Sequence, residues 1–272
     1  MSTLLIAKKD FEDAIRARTL QLLVAFFVGF TSLTFHYHRS RLGPGGTFID
    51  LYDGILGKLG VIIPLLGVMV GYKAVVGERE SGSLKLLLTL PHSRRDILLG
   101  KFIGRAAIVL VTMAIGFALV GVQTILFTDL FSVTEFFLAI GEITLFGVVF
   151  VAIAVAFSTA MRSSMKAAIG ALGLTILFSF LWDLIYGYFA RFIDPMEFNP
   201  QTGGYQPDPG PNWVLFLQRL NPRRAFLETP SIYIEGPDPF FLEGWFGWVI
   251  IIAWLVVPLV IAYWRFRDSD LA

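Results

Sequence analysis

The sequence predicts an all-α fold, a polytopic membrane protein with six transmembrane helices, and three observations carry that prediction. Of its 272 residues, 56% are hydrophobic and 16% charged, where soluble domains average about 45–50% and about 25%. The apolar residues gather in six blocks, each near the roughly 20 residues that carry a helix across about 30 Å of hydrocarbon. The blocks lack the alternation of a membrane barrel, and a bilayer offers backbone amides no water, so each block is expected to be a helix.

The elements follow in order within a single transmembrane domain, 1–272. Residues 3–18 place Leu4, Ala7, Phe11, Ala14, Ile15 and Arg18 at three- and four-residue spacing, which predicts an amphipathic elbow helix along the membrane surface. The six blocks are 20–37, 59–76, 102–127, 136–160, 167–188 and 246–264. No small-residue cleavage site follows the first, so it reads as a retained anchor. A charged connection, 77–101, joins the second and third blocks. The segment 191–244 before the last block holds most of the chain's 13 prolines, too many for one long helix. Trp245, Trp248, Tyr263 and Trp264 near the ends of the last block form an aromatic belt.

Orientation follows from the basic residues. With both termini on one side, that side holds 15 of the 22 Lys and Arg residues but only 8 of the 21 Asp and Glu residues. The positive-inside rule then makes both termini, the elbow and the 77–101 connection cytoplasmic, and the 191–244 loop external.

The connection itself is the most informative stretch. Ser81, Gly82 and Ser83 permit a sharp turn after Glu78, Arg79 and Glu80. Leu84 to Leu90 is too short to span and too apolar to be freely solvated, which places it at the interface. Pro91 stops that helix, and Ser93 with Asp96 forms an S-x-x-D cap that starts the next, running through Gly100 and Lys101 into the third block. The expected product is a rigid helix-turn-helix bracket beneath the membrane.

The run GERESGSLKLLLTLPHSRRDILLGK at 77–101 resembles the signature of type-2 exporter ABC transporter permeases. The shared order is an acidic-Arg-Glu run, a small-residue turn, a leucine-rich helix, Pro, Ser-Arg and a helix ending in Gly-Lys. Leu220-Asn221-Pro222-Arg223-Arg224-Ala225-Phe226 also resembles the Asn-Pro segment of permeases linked to nitrous-oxide-reductase maturation. The resemblance implies a permease of the plasma membrane that binds a separate ATPase through a coupling helix and works beside a second permease chain, identical or different. Glu78, Arg79, Glu80, Gly82, Pro91, Ser93, Arg94, Arg95, Gly100 and Lys101 would be its ATPase-coupling residues. ATP and Mg would be used by the partner, with no cofactor on this chain and no nucleic-acid partner.

Several classes of chemistry lack their residues. Gly100-Lys101 is followed by Phe102 with no glycine five residues earlier, so there is no P-loop, and ATP hydrolysis is expected in another polypeptide. Absent cysteine removes thiolate metal sites and disulfides. His36 and His38, two apart, point to different faces of a helix, and no metal site is expected. Charges inside spans are functional candidates by default, and Glu142 and Asp183 stand out. Glu142 is a candidate for the transport path; Asp183 reads as interfacial. Gly60, Pro64, Gly67 and Gly71 give the second span one small-residue face, serving either a dimer seam or packing within one bundle. The alternatives to a permease are a membrane-embedded enzyme using Glu142, Asp183 and the histidines, or a non-transporting sensor or assembly factor on the same fold.

Overall fold

The computed structural model describes residues 2–84, 89, 93–193, 197–199, 204–206, 212–228 and 240–267. In chain order the helices are α1 (Ser2–Arg16), α2 (Thr19–Arg39), α3 (Phe48–Gly71), α4 (Val76–Glu80), α5 (Arg94–Phe127), α6 (Val133–Ala160), α7 (Ser164–Ile176), α8 (Trp182–Ile193), α9 (Asn212–Arg219), α10 (Pro222–Glu228) and α11 (Gly244–Arg267). A π-helical turn, Leu177–Leu181, joins α7 to α8. Among the described residues the one departure from helix and loop is a hairpin, β1 (Glu197–Asn199) against β2 (Gly204–Gln206), with Phe198 opposite Tyr205.

Six helical runs are long and apolar enough to cross a membrane: 19–39, 48–80, 94–127, 133–160, 164–189 and 244–267. They contain the six predicted blocks. Outward faces carry exposed Leu22, Leu33, Ile125, Leu126, Phe137 and Val257, a greasy surface that suits hydrocarbon. The chain forms two compact units, 1–172 with 254–272, and 173–253.

Local chemistry sets the boundaries in the first unit. Arg18, at φ 58°, occupies the left-handed region a non-glycine rarely enters and separates α1 from α2. α3 starts at Phe48, well before the expected Leu59, because Thr47 and Asp50 form a capping box: Thr47 N–H and Oγ1 donate to Asp50 Oδ2 at 2.8 Å. Asp50, Asp53 and Lys58 hid this first stretch from a reading based on hydropathy. The small-residue face of α3 is filled from within the chain. A Cβ on Gly67 would lie 2.8 Å from Phe150 Cβ, and one on Gly71 2.7 Å from Ala154 Cβ, so α6 takes the face that sequence left open between dimer seam and internal packing.

α1 is the expected amphipathic helix, but turned. Ile6, Ala7, Asp10 and Ala14 are buried, whereas Leu4, Leu5 and Ile15 of the greasier side are exposed. The buried face lies on α5 at Gly100 and Gly104, where added Cβ atoms would meet Ile6 Cβ at 2.7 Å and Ala7 O at 2.9 Å. A carboxylate at the centre of that face, Asp10, finds its cations there.

In the second unit, α8 and α9 flank a half-open apolar pocket of about 340 Å³ lined by Trp182, Ile185, Phe189, Trp213 and Leu217. Asn221 is fully buried between α9 and α10. Its Nδ2 donates to Phe178 O at 2.9 Å, and its Oδ1 accepts from Arg223 N–H at 2.8 Å. The first bond satisfies a carbonyl in the π-helical turn and the second caps α10.

Candidate functional site

The described charged residues of the 77–101 bracket converge on one end of the first unit. Five elements meet there: α1, α4, the start of α5, the α6–α7 turn and the end of α11. Ile6, Val75, Leu84, Ile97 and Phe266 form an apolar centre beneath the charges, each at most 6% exposed.

The start of α5 shows the predicted cap. Asp96 N–H donates to Ser93 Oγ at 3.1 Å, and Ser93 N–H to Asp96 Oδ2 at 3.1 Å. Asp96 Oδ1 also accepts from Thr3 Oγ1, which ties the elbow to this cap. α5 then runs 34 residues without a break. Arg94 donates to the carbonyls of Phe266 and Arg267, the latter at 3.0 Å, and stacks over the Phe266 ring. A cation on the last carbonyls of α11 matches the negative end of that helix.

About two turns after Arg94, Lys101 is buried in an ionic cluster. Its Nζ lies 2.8 Å from Asp10 Oδ1 and also contacts Glu78 Oε1. Arg105 Nη2 donates to Asp10 Oδ1 at 3.0 Å, while its Nε pairs with Asp10 Oδ2 at 2.7 Å by proximity without hydrogen-bond alignment. Two cations face two carboxylates, so the charge closes within the cluster. With side-chain exposures of 8% for Lys101 and 3% for Asp10, breaking the pair leaves a buried charge uncompensated.

Arg79 and Glu80 turn the other way, onto the α6–α7 hairpin. Arg79 Nη1 donates to Met161 O at 2.6 Å. Both oxygens of Glu80 accept from Ser164, Oε1 from its N–H at 2.6 Å and Oε2 from its Oγ at 2.5 Å. Ser158 Oγ accepts from the amides of Val75 and Val76 at 3.0 and 3.1 Å, satisfying the start of α4. Gly82 closes α4 at φ 78°, with open space around it, so its glycine is required by backbone conformation and not by crowding.

The structure therefore gathers Glu78, Arg79, Glu80, Ser93, Arg94, Gly100 and Lys101: Ser93 caps its own helix, Gly100 admits Ile6 of α1, and the charged groups of Glu78, Arg79, Glu80, Arg94 and Lys101 bond to other parts of the chain. Arg95 differs: it is exposed and makes no ion pair among the described residues. Pro91 and the apolar stretch 85–88 lie outside the described residues. Sequence reasoning missed Asp10, Gly104 and Arg105 as members of the cluster. The signal was present as a G-x-x-x-G at 100–104 flanked by Lys101 and Arg105, a close-approach seam with charges beside it.

Away from this end, Glu142 is partly buried on α6. Asp183 pairs with Arg224 Nε at 2.8 Å and Arg223 Nη1 at 3.5 Å. Burial lowers the Arg223 pKa, Asp183 opposes that shift, and neighbouring Arg224 adds to it.

Residues 4–271 match the family described as ABC-2 family transporter protein. The probable ABC transporter permease protein NosY of Stutzerimonas stutzeri is 30% identical over 268 residues, covering 96% of both chains. Its namesake in Pseudomonas aeruginosa is 32% identical over 185 residues, covering 66% of this chain and 67% of its own. With six membrane-crossing helical runs and a family match over nearly its whole length, this chain belongs to the ABC-2 family of membrane transporter proteins.

Proposed function

We propose that the chain is the permease of an ATP-driven exporter, whose ATP and Mg are handled by a separate ATPase docked against the 77–101 bracket. Two permease chains and two ATPases form the working unit, with both termini and the bracket in the cytoplasm of a plasma-membrane protein. The chain performs no covalent chemistry. Closure of the ATPase pair on ATP tilts the bracket, and the spans exchange an inward-open for an outward-open path.

The observation that carries this reading is the continuity of α5. Its first turn holds exposed Arg95, and the same unbroken 34-residue helix crosses the membrane, so a push at Arg95 reaches the far side without a joint. Arg95 is the contact with an acidic cleft of the ATPase. Glu78, Lys101 and Arg94 stiffen the bracket instead of touching the partner.

Affinity purification of the chain co-expressed with a candidate ABC ATPase from the same genome tests the proposal. The native chain retains the ATPase, and Arg95→Glu releases it while leaving the permease folded. Substrate turnover that persists without any ATPase refutes the reading in favour of an enzyme.

A further inference from the structure

Arg79 and Glu80 are consecutive on α4 yet grip the two helix termini, opposite in polarity, that meet at the turn of one helical hairpin. α6 ends at Ala160 and α7 begins at Ser164. Arg79 lies on the carbonyls that close α6, Met161 O at 2.6 Å and Thr159 O at 3.4 Å, and Glu80 lies on the amide and hydroxyl that open α7. The last carbonyls of a helix carry partial negative charge and its first amides partial positive charge. Each side chain thus has the sign its helix end attracts, and all four hydrogen bonds involve a charged group, the stronger kind. A third contact, Ser158 Oγ on the Val75 and Val76 amides, ties α6 back to the base of α4. Shifting the hairpin relative to α4 means breaking all of these together.

We propose that Arg79 and Glu80 are positioning residues that carry movement of the bracket into the α6–α7 hairpin, so that the fourth and fifth spans move with the second and third. This rests on the permease reading above and deepens it. In the family resemblance these two residues stand as ATPase contacts; here their polar atoms are spent inside the chain. Through the chain itself the bracket is continuous only with α3 and α5. With the grip, one push enters α3, α5, α6 and α7.

The chain contains no cysteine, so the test needs no background substitutions. Ser81→Cys on the bracket and Met165→Cys on α7, both exposed positions, take nitroxide labels in the permease–ATPase complex held in lipid nanodiscs. Electron–electron distance distributions are recorded without nucleotide and with ATP and vanadate. In the otherwise native chain the 81–165 distance is narrow and the same in both states, because the two sites travel together. In Glu80→Ala the distribution broadens and becomes nucleotide-dependent, the ATPase still copurifies, and substrate moved per ATP falls at least tenfold. Glu80→Gln, which keeps size and part of the bonding, gives a smaller change of the same kind and serves if Glu80→Ala does not fold.

A Glu80→Ala distribution as narrow and nucleotide-independent as the native one overturns the proposal, even if the variant is less stable. So does a native 81–165 distance that itself changes with nucleotide. If the native chain retains no ATPase, the permease reading fails separately. The grip is then judged on the chain alone, where Glu80→Ala broadens the distance if the grip is real and leaves it narrow if it is not.

Discussion

Replacing Lys101 by methionine isolates the buried cluster that fixes the elbow. Methionine keeps most of the length and apolar volume of the stem but removes the ammonium that lies 2.8 Å from Asp10 and also contacts Glu78. Arg105 remains beside Asp10. Glu78 is left with no other ion pair among the described residues, at 23% side-chain exposure. Removing one partner of a buried pair costs about 3–5 kcal/mol. Arg105 retains half of the compensation for Asp10 and Glu78 is partly solvated, so the lower end applies. A loss of about 3 kcal/mol is roughly a hundredfold in an equilibrium constant. Because the cluster holds α1 against α5, the loss appears as local opening of α1. Amide hydrogen exchange in nanodiscs reads it: protection of the α1 amides falls roughly a hundredfold while that of the α3–α6 core holds. Adding Glu78→Gln to Lys101→Met restores most of the protection, since the stranded charge is gone. Protection of α1 within about twofold of native in the single variant would refute the assignment of Lys101 as the clasp of the elbow.

Two further outcomes follow from close contacts. Gly100→Leu drives its side chain into Ile6 and Thr3 O, atoms already within 2.8 Å of an added Cβ, and displaces α1 at a cost of about 1–3 kcal/mol; limited proteolysis after Arg16 and Arg18 accelerates accordingly. Asn221→Ala removes the side-chain bond to the Phe178 carbonyl and uncaps α10, costing about 1–3 kcal/mol, and hydrogen exchange rises across 177–181 and α10 with no change in α3.

What was legible in the sequence is what local chemistry decides. The six runs follow from hydropathy, and the Ser93–Asp96 box follows from a four-residue pattern whose partners are neighbours in the chain. The start of α3 was hidden because Asp50, Asp53 and Lys58 lower hydropathy, although Thr47 and Asp50 spell the same kind of cap. The π-helical turn at 177–181 has no local signature; its carbonyl partner, Asn221, lies more than forty residues on. The family run put Arg79 and Glu80 among the expected coupling residues, but did not show the direction in which they turn. Their partners, Met161 and Ser164, are some 80 residues away, and nothing in the spacing of a charged run tells inward from outward. Asp10 misled in the opposite sense. A carboxylate on a surface helix reads as its wet face, and here it is the centre of the dry one.

The seam at Gly67 and Gly71 limits how any stroke is delivered. With Phe150 Cβ and Ala154 Cβ standing where glycine side chains would begin, the two backbones interlock like teeth, and neither rod can slide or spin past the other without first being lifted off. The second and fourth spans consequently behave as a single plank. Any stroke that tips one of them tips the other.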